Sequence, residues 1–383
     1  MSATTPLPST YRAVVCHEYG QPLKLDTLPT PEAEPGSAVV QVLAALVDPS
    51  EQHRLIQSKR NPHFSQETPF IPGNGAVGRV AALGKDATSM KVGQLVLLEP
   101  FLRGRDDPNA QALRAVYEGP SPSAKRLTHQ EGLWRDGFWA EYVRAPLESC
   151  WPLDEAALLG PVDQGGLGYK ISDLPYMMKH AIAYGGFRSI DLKPGETVIV
   201  TPATGNHGGA AVQIASAMGA RVIAVGRNAD TLKKLSENNA RVHGVTLTGN
   251  VAEDVKILSQ FGTIDAFMDF TPATMPSPLH LKSCVAAVKQ YGKGVLMGFP
   301  YGEFSLPYGM MVGKNITIRA QFMYEASDMR SFVKLAERGL LKLGNGSGVE
   351  VIDGYTLEQY DEAVSKAAEQ QSWGRQVIFE PFK

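Results

Sequence analysis

The residues Pro202-Ala203-Thr204-Gly205-Asn206-His207-Gly208-Gly209 follow the apolar run Thr197–Thr201 and open an alanine-rich stretch. Gly205 and Gly208 take the second and third positions of a G-x-x-G-x-x-G turn, with Pro202 at the first. Such a turn handles phosphate. Gly205 lets the backbone approach a pyrophosphate, Gly208 lets a following helix sit close to the strand, and the helix N-terminus offers free N–H groups and a positive dipole end. Thr204, Gly205, Asn206, His207 and Gly208 are therefore candidate cofactor contacts. About twenty residues past the turn, where NAD-binding sheets place an acidic residue for the ribose hydroxyls, the chain reads Gly226-Arg227-Asn228. Loss of the carboxylate removes repulsion of a 2′-phosphate, and a guanidinium can bond that phosphate bidentately. Gly226, Arg227 and Asn228 thus point to NADP(H). The competing readings are a glycine turn without a ligand and an arginine directed into solvent.

A phosphate turn works only between a strand and a helix. Thr197–Thr201 supplies the strand, residues 208–218 the helix, and Gly219 a C-terminal glycine cap. Arg221–Val225 and residues 266–270 and 294–298 continue a strand–helix alternation, which predicts an α/β, doubly wound parallel sheet over residues 171–319. The first 170 residues differ. They are rich in Pro and Gly, with short β-type runs at 38–47, 78–83 and 94–98, as in a compact β-barrel. Residues 102–135 lack periodicity and read as a long excursion on the surface or over a cleft. The final segment, ending in the run 376–379, returns to mixed helix and strand.

With 383 residues, the chain exceeds the ~250–300 at which single cores stop growing, so two domains are expected. A net charge of -2 argues against a nucleic-acid partner. No apolar run reaches the ~20 residues of a membrane helix, and the first residues do not read as a secretory signal. Cys16, Cys150 and Cys284 are far apart, with no C-x-x-C, which excludes a disulfide framework and favours a reducing, cytoplasmic location.

Several further segments carry a resemblance. Lys193-Pro194-Gly195-Glu196 matches K-P-G-[DE], and Ala211-Val212-Gln213-Ile214-Ala215 matches A-V-Q-x-A. Pro72-Gly73-Asn74-Gly75-Ala76-Val77-Gly78 is similar to P-G-H-E-x-x-G, Lys91-Val92-Gly93-Gln94 to K-V-G-D, and Gly137-Phe138-Trp139-Ala140-Glu141-Tyr142 to G-x-[FY]-A-E-Y. Over nearly its whole length the chain resembles the medium-chain dehydrogenase/reductase superfamily; the wording of residues 103–109 and 175–187 is most similar to fungal members. The resemblance implies a GroES-like β-barrel domain (residues 1–170 and 320–383), an inserted Rossmann domain (171–319), and a homodimer formed by edge pairing of Rossmann sheets.

The resemblance also shows where this chain departs. Zinc members supply a Cys in C-x-S-x-x-H, a His in G-H-E and a further Cys or acidic residue. Here Asp48-Pro49-Ser50-Glu51-Gln52-His53 puts Asp48 at the cysteine, Asn74 replaces the histidine, and the third place falls near Met177 or Met178. A catalytic zinc needs three protein ligands, so no metal is expected. Ser50 and His53 match the proton-relay positions of zinc members. Asp48, Ser50, His53 and Asn74 are therefore candidates for the polar wall of the substrate pocket, with His53 or a water on it as proton source. The alternative is that Asp48 and Ser50 only cap a helix starting near Pro49. The resemblance further implies that Glu51 pairs with Arg375 near the cofactor phosphate. His180 reads as a packed helix residue. Phe64, Tyr117, Trp139, Met177, Met178, Phe299, Met323 and Tyr324 flank the expected cleft, Phe299 on the cofactor side, and favour an aromatic or polyketide-like substrate.

The implied activity is hydride transfer between NADP(H) and a carbonyl or activated C=C of a small molecule. Two alternatives remain open: a non-catalytic nucleotide-binding relative, and a zinc alcohol dehydrogenase with unusual ligands.

Overall fold

The computed structural model describes residues 6–61, 64–129, 134–237, 239–273, 275, 278–300 and 303–383. Two sheets organise it. The first is six-stranded and wholly parallel, in the order Val242–Val245, Arg221–Val225, Thr197–Thr201, Ala266–Asp269, Lys293–Leu296, Thr317–Ala320. Its inner strands, such as Thr197–Thr201 and Ala266–Asp269, are buried along their length because both faces are covered. Val198, Val200, Val222, Ala224 and Met268 face one core, while Ile199, Ile223, Val225 and Phe267 face the other. That is the two-residue alternation of a strand with apolar residues on both sides. The chain runs outward from Thr197–Thr201 to Val242–Val245, then crosses back to Ala266–Asp269 on the other flank. The gap above those two central strands is the topological switch point, where open parallel sheets bind ligands.

The second sheet has seven strands. Six follow the order Glu350–Tyr355, Arg375–Phe379, Ser37–Val47, Ala76–Leu83, Leu95–Leu98, Cys150–Pro152, and Tyr142–Pro146 also pairs with Ser37–Val47. The C-terminal strand Arg375–Phe379 pairs antiparallel with Ser37–Val47, so the last segment closes the N-terminal β unit. One apolar core is continuous across both halves. Leu46, Val77 and Leu97 join Val198, Ala211 and Trp373 through the helix Met177–Ser189, whose Met177, Ala181 and Phe187 are buried.

The described residues of 102–135 contain regular elements that the sequence did not suggest. Phe101–Arg103 pairs with Gln111–Leu113, and a helix Pro122–Thr128 is capped by Ser121. Arg114 pins it to the barrel. Its buried guanidinium donates to the carbonyls of Asp136 at 2.6 Å and Arg144 at 3.0 Å and lies over the Phe138 ring. A buried cation held by two backbone oxygens carries no periodicity for a sequence reading to detect.

Candidate active site

Two chambers meet between the sheets. A cleft of about 780 Å³ lies over the switch point, lined by Thr204, Gly205, Asn206, Gly208, Gly226 and Arg227 among others. A cavity of about 630 Å³ lies beside it, under the barrel, with Leu46, Phe64, Leu113, Met178, Ile182 and Met323 among its apolar walls. Asp48, Ser50, His207, Pro272 and Gln371 border both.

The cleft is built by backbone. The helix Asn206–Ala217 starts directly after Gly205, and no side chain caps it, so its first N–H groups remain available for an anion. A Cβ on Gly205 would meet nothing within 4 Å, whereas one on Gly208 would lie 1.9 Å from the Pro202 carbonyl oxygen. The first glycine leaves space for a ligand, and the second permits the helix to pack on the strand. The helix ends at Ala217, with Gly219 at φ +91° behind it. From the other half, Ser372 bridges to Gly205, and the Trp373 N–H donates to the Thr204 carbonyl at 2.9 Å.

The cavity's polar corner is built by side chains. In Ser37–Val47 the pairing register shifts between Val42 and Ala44. Before the shift, Ala38, Val40 and Val42 point into the barrel core; after it, Ala45 and Val47 do, while Ala44 and Leu46 face the core shared by the two halves. This bulge reverses the parity of the strand and carries Asp48, two residues past Leu46, to the junction. Asp48 Oδ1 accepts from the Ser50 N–H at 3.0 Å and Oγ at 2.7 Å. Its Oδ2 is ion-paired with Lys179 Nζ. Lys179 sits in the first turn of Met177–Ser189, is 5% exposed, and its Nζ is also 3.4 Å from His207 Nε2.

The charges in this corner are held in definite states. Burial alone would raise the Asp48 carboxyl, but Lys179, His207 and the Ser50 N–H outweigh it and hold it well below the usual carboxylate range. Burial, reinforced by Lys179, lowers His207 to about 3, so its imidazole is neutral at pH 7. The corner therefore contains an anionic carboxylate and a neutral imidazole around one ammonium.

Other sequence candidates fall in different places. His53 and Asn74 line the cavity, and His53 is exposed, its Nε2 3.1 Å from Ser58 Oγ. Asp48 combines both readings made of it: it holds the turn before the π-helical segment Gln52–Gln57 and also faces the junction. Arg227 is exposed at the cleft wall. Asn228 does not line the cleft; its side chain caps the helix Ala229–Ser236 by accepting from Thr231 N at 3.0 Å. Phe299 is not on the cofactor cleft either. It packs against Phe64, centroids 5.0 Å apart, with Tyr117 stacked on Phe64 at 5.1 Å, an aromatic group that joins the two halves. Glu51 pairs with Arg54 at 2.6 Å, not with Arg375, which is exposed and 3.6 Å from Glu350. A neighbour three positions along reaches Glu51 before a residue on a distant strand can. His180 is buried, 2.8 Å from Gln213 Oε1 and lowered to about 4 by burial, a packed helix residue. Trp139 and Tyr324 are core residues, whereas Met178 and Met323 line the cavity.

Lys179 and Gln371 were not legible as site residues. The one available signal was Lys179 itself, a basic residue inside the apolar sequence Met177-Met178-Lys179-His180-Ala181-Ile182-Ala183. Gln371 Nε2 donates to the Pro49 carbonyl at 3.2 Å across more than three hundred residues of chain, a contact no local pattern announces.

The donor set at the junction does not fit zinc. Asp48 already has both oxygens engaged, one of them by an ammonium, and Asn74 and Met178 are poor ligands. No cluster of three or more His, Cys, Asp or Glu that could hold a metal occurs among the described residues. The three thiols are buried and unpaired. The cleft, by contrast, fits a nucleotide diphosphate: an open helix N-terminus, space over Gly205, and a guanidinium at the far wall.

Residues 34–155 match the alcohol dehydrogenase GroES-like domain, and residues 208–338 match the zinc-binding dehydrogenase family. The second match begins after Asp48, Asn74 and Met178. An alcohol dehydrogenase of Rhizobium meliloti is 27% identical over 86% of this chain and 89% of its own length. A sorbitol dehydrogenase of Bacillus subtilis is 26% identical over 95% of each chain. The crystal structure of an Escherichia coli CFT073 alcohol dehydrogenase complexed with NADH superposes with a TM-score of 0.75, at 19% identity, over 97% of this chain and all of that one. The chain belongs to the medium-chain dehydrogenase/reductase superfamily. It is an oxidoreductase of the dehydrogenase type, with a GroES-like barrel and a Rossmann sheet. No helix among the described residues is long and apolar enough to cross a membrane.

Proposed function

We propose that this dehydrogenase uses NADP(H), without zinc, to interconvert a carbonyl or activated C=C of a small, largely apolar substrate with its reduced form. The observation that carries the reading is the meeting of a phosphate-ready cleft and an apolar cavity at Asp48, Ser50 and His207. When bound, the nicotinamide supplies or accepts hydride at that junction. The chain's own residues do the rest. The helix N-terminus after Gly205 binds the diphosphate, Arg227 beside Gly226 receives the 2′-phosphate, and the apolar walls exclude water. Asp48, Ser50, His53 and Asn74 form the polar wall, with the exposed His53 exchanging protons with solvent. Phe64 on the cavity wall, backed by the rings of Tyr117 and Phe299, supports an aromatic or polyketide-like substrate. Residues 1–170 and 320–383 serve as the substrate domain and 171–319 as the cofactor domain. The exposed edge strand Thr317–Ala320 supports a homodimer, and the unpaired thiols a cytoplasmic location.

Fluorescence titration with NADPH and NADH tests the reading. We expect tighter binding of NADPH, with Arg227→Ala weakening NADPH by about tenfold or more and NADH little, as for loss of a charge-assisted contact. A preference for NADH overturns the NADP(H) assignment; binding of neither overturns the oxidoreductase reading. Loss of turnover on chelation, restored by zinc, overturns zinc independence.

A further inference from the structure

We propose that the Lys179 ammonium is the electrophile and proton donor of this site, and that the substrate is therefore a carbonyl compound whose oxygen docks on Lys179 Nζ. The proposal rests on the proposed function above and narrows it.

Position comes first. Lys179 lines the cavity and touches two of the residues that border both chambers, Asp48 and His207. The other cations on the cavity wall are placed differently: Arg54 is committed to Glu51, and Lys59 is exposed. Next is the count of donors. An ammonium has three N–H groups and no acceptor. One meets Asp48 Oδ2 and one points toward His207 Nε2, leaving a third for a ligand in the cavity that Lys179 lines. Then comes solvent. At 5% exposure the ammonium acts through a medium that screens it far less than water does. Last is support. Ser50 fixes the second oxygen of Asp48 through two hydrogen bonds, so the carboxylate that orients Lys179 is itself immobile. Asp48 and Ser50 act through Lys179 and are positioning residues.

The step balances with reduced nicotinamide as the reductant. Hydride adds to the carbonyl carbon, the C=O π pair moves to oxygen, and that oxygen takes a proton from Nζ, giving the alcohol. The amine left behind regains its proton from solvent. The net change is R₂C=O + NADPH + H⁺ → R₂CHOH + NADP⁺, and the reverse direction uses the neutral amine as base. The oxygen charge develops beside a fixed ammonium, which lowers the barrier because that charge is absent in the ground state.

The test uses the full-length protein saturated with NADP⁺ and benzoate as the probe, an aromatic oxyanion of the kind that Lys179 should hold. Binding is read by calorimetry, separately from turnover. Lys179→Met should weaken benzoate by roughly 30-fold or more while leaving NADPH affinity within a few-fold. Because that variant strands Asp48, Lys179→Met is also combined with Asp48→Asn, which leaves no buried charge unpaired; the same loss is expected. Turnover on an aldehyde and ketone panel should fall by about 10²–10³. Lys179→Cys treated with 2-bromoethylamine should recover turnover and benzoate binding, and treatment with iodoacetamide should not. The native thiols are protected, as burial pushes Cys16 up to about 11, Cys150 up to about 12 and Cys284 higher still. Benzoate binding that is absent in the wild type, or unchanged in both methionine variants, overturns the proposal. So does carbonyl turnover that survives Lys179→Met. Failure of NADPH to bind the wild type would instead defeat the proposed function itself.

Discussion

The cleft over the switch point and the cavity beside it share the residues at their junction, yet they are made of different material. Around the cleft, the groups that matter are backbone N–H groups and the absence of side chains at Gly205 and Gly208. Around the cavity corner they are side chains delivered by separate segments: Asp48 past a bulged strand, Lys179 from one helix, His207 from the start of another and Gln371 from the C-terminal segment. The first kind of site depends on local geometry and tolerates most changes outside its glycines. The second depends on buried charges that must remain paired, so its stability and its chemistry are tied together.

Three perturbations sharpen that contrast, from the largest effect to the smallest. Asp48→Ala leaves the Lys179 ammonium buried without its carboxylate, and a broken buried pair costs about 3–5 kcal/mol. Urea denaturation at pH 7 should show that loss, with NADPH affinity of the folded fraction little changed. A cost below 1 kcal/mol would mean the corner is not maintained by charge pairing. Gly208→Ala acts on the other side. Its methyl would collide with the Pro202 carbonyl oxygen, and overpacking of this kind costs about 1–3 kcal/mol. Here stability and NADPH affinity should fall together, since the helix proposed to bind the diphosphate must move. A variant that melts like the wild type and binds NADPH normally would remove the close-packing role of that glycine.

The smallest effect concerns Glu99, at the end of the strand Leu95–Leu98 next to the cavity residue Pro100. Burial pushes its carboxyl up to about 7 against the pull of Arg103, 3.3 Å away. A carboxyl raised in the folded protein keeps its proton where the unfolded chain, with an ordinary value of 4.5, has lost it. Stability contributed by this group is therefore present below about pH 4.5 and declines as pH rises toward about 7. Glu99→Gln should remove about 1–3 kcal/mol of that decline, read from urea melts at pH 5 and pH 8. An unchanged slope would show that Arg103 keeps Glu99 ionised throughout.

The same contrast explains what could be read from the sequence. Thr197–Thr201, Gly205, Gly208 and Gly219 were legible because strand, turn, helix and cap are contiguous, and each residue type is dictated by its immediate backbone. The central strands of both sheets were legible for the same reason, within a residue or two at their ends. Asn228 was misplaced because a short-range partner, Thr231 N, takes its side chain, and Arg375 because strand pairing sets it beside Glu350. Phe299 was placed on the cofactor side, but the chain beyond strand Lys293–Leu296 turns it toward Phe64. Lys179 lay one or two residues from where zinc members would have a metal ligand, and only the tertiary fold brings its ammonium to the cavity.

The contacts of Ser372 and Trp373 have a mechanical consequence. The C-terminal segment is hydrogen-bonded to the phosphate turn at Thr204 and Gly205, and the Trp373 indole fills the space beside Gly209. Elsewhere the halves meet through ring contacts of Phe64 and Tyr117 with Phe299, with no comparable backbone tie there among the described residues. A rotation of one half against the other that kept these hydrogen bonds would turn about the Gly205 end and part the rings at the aromatic end. Such a lever would admit substrate without loosening its grip on the nucleotide.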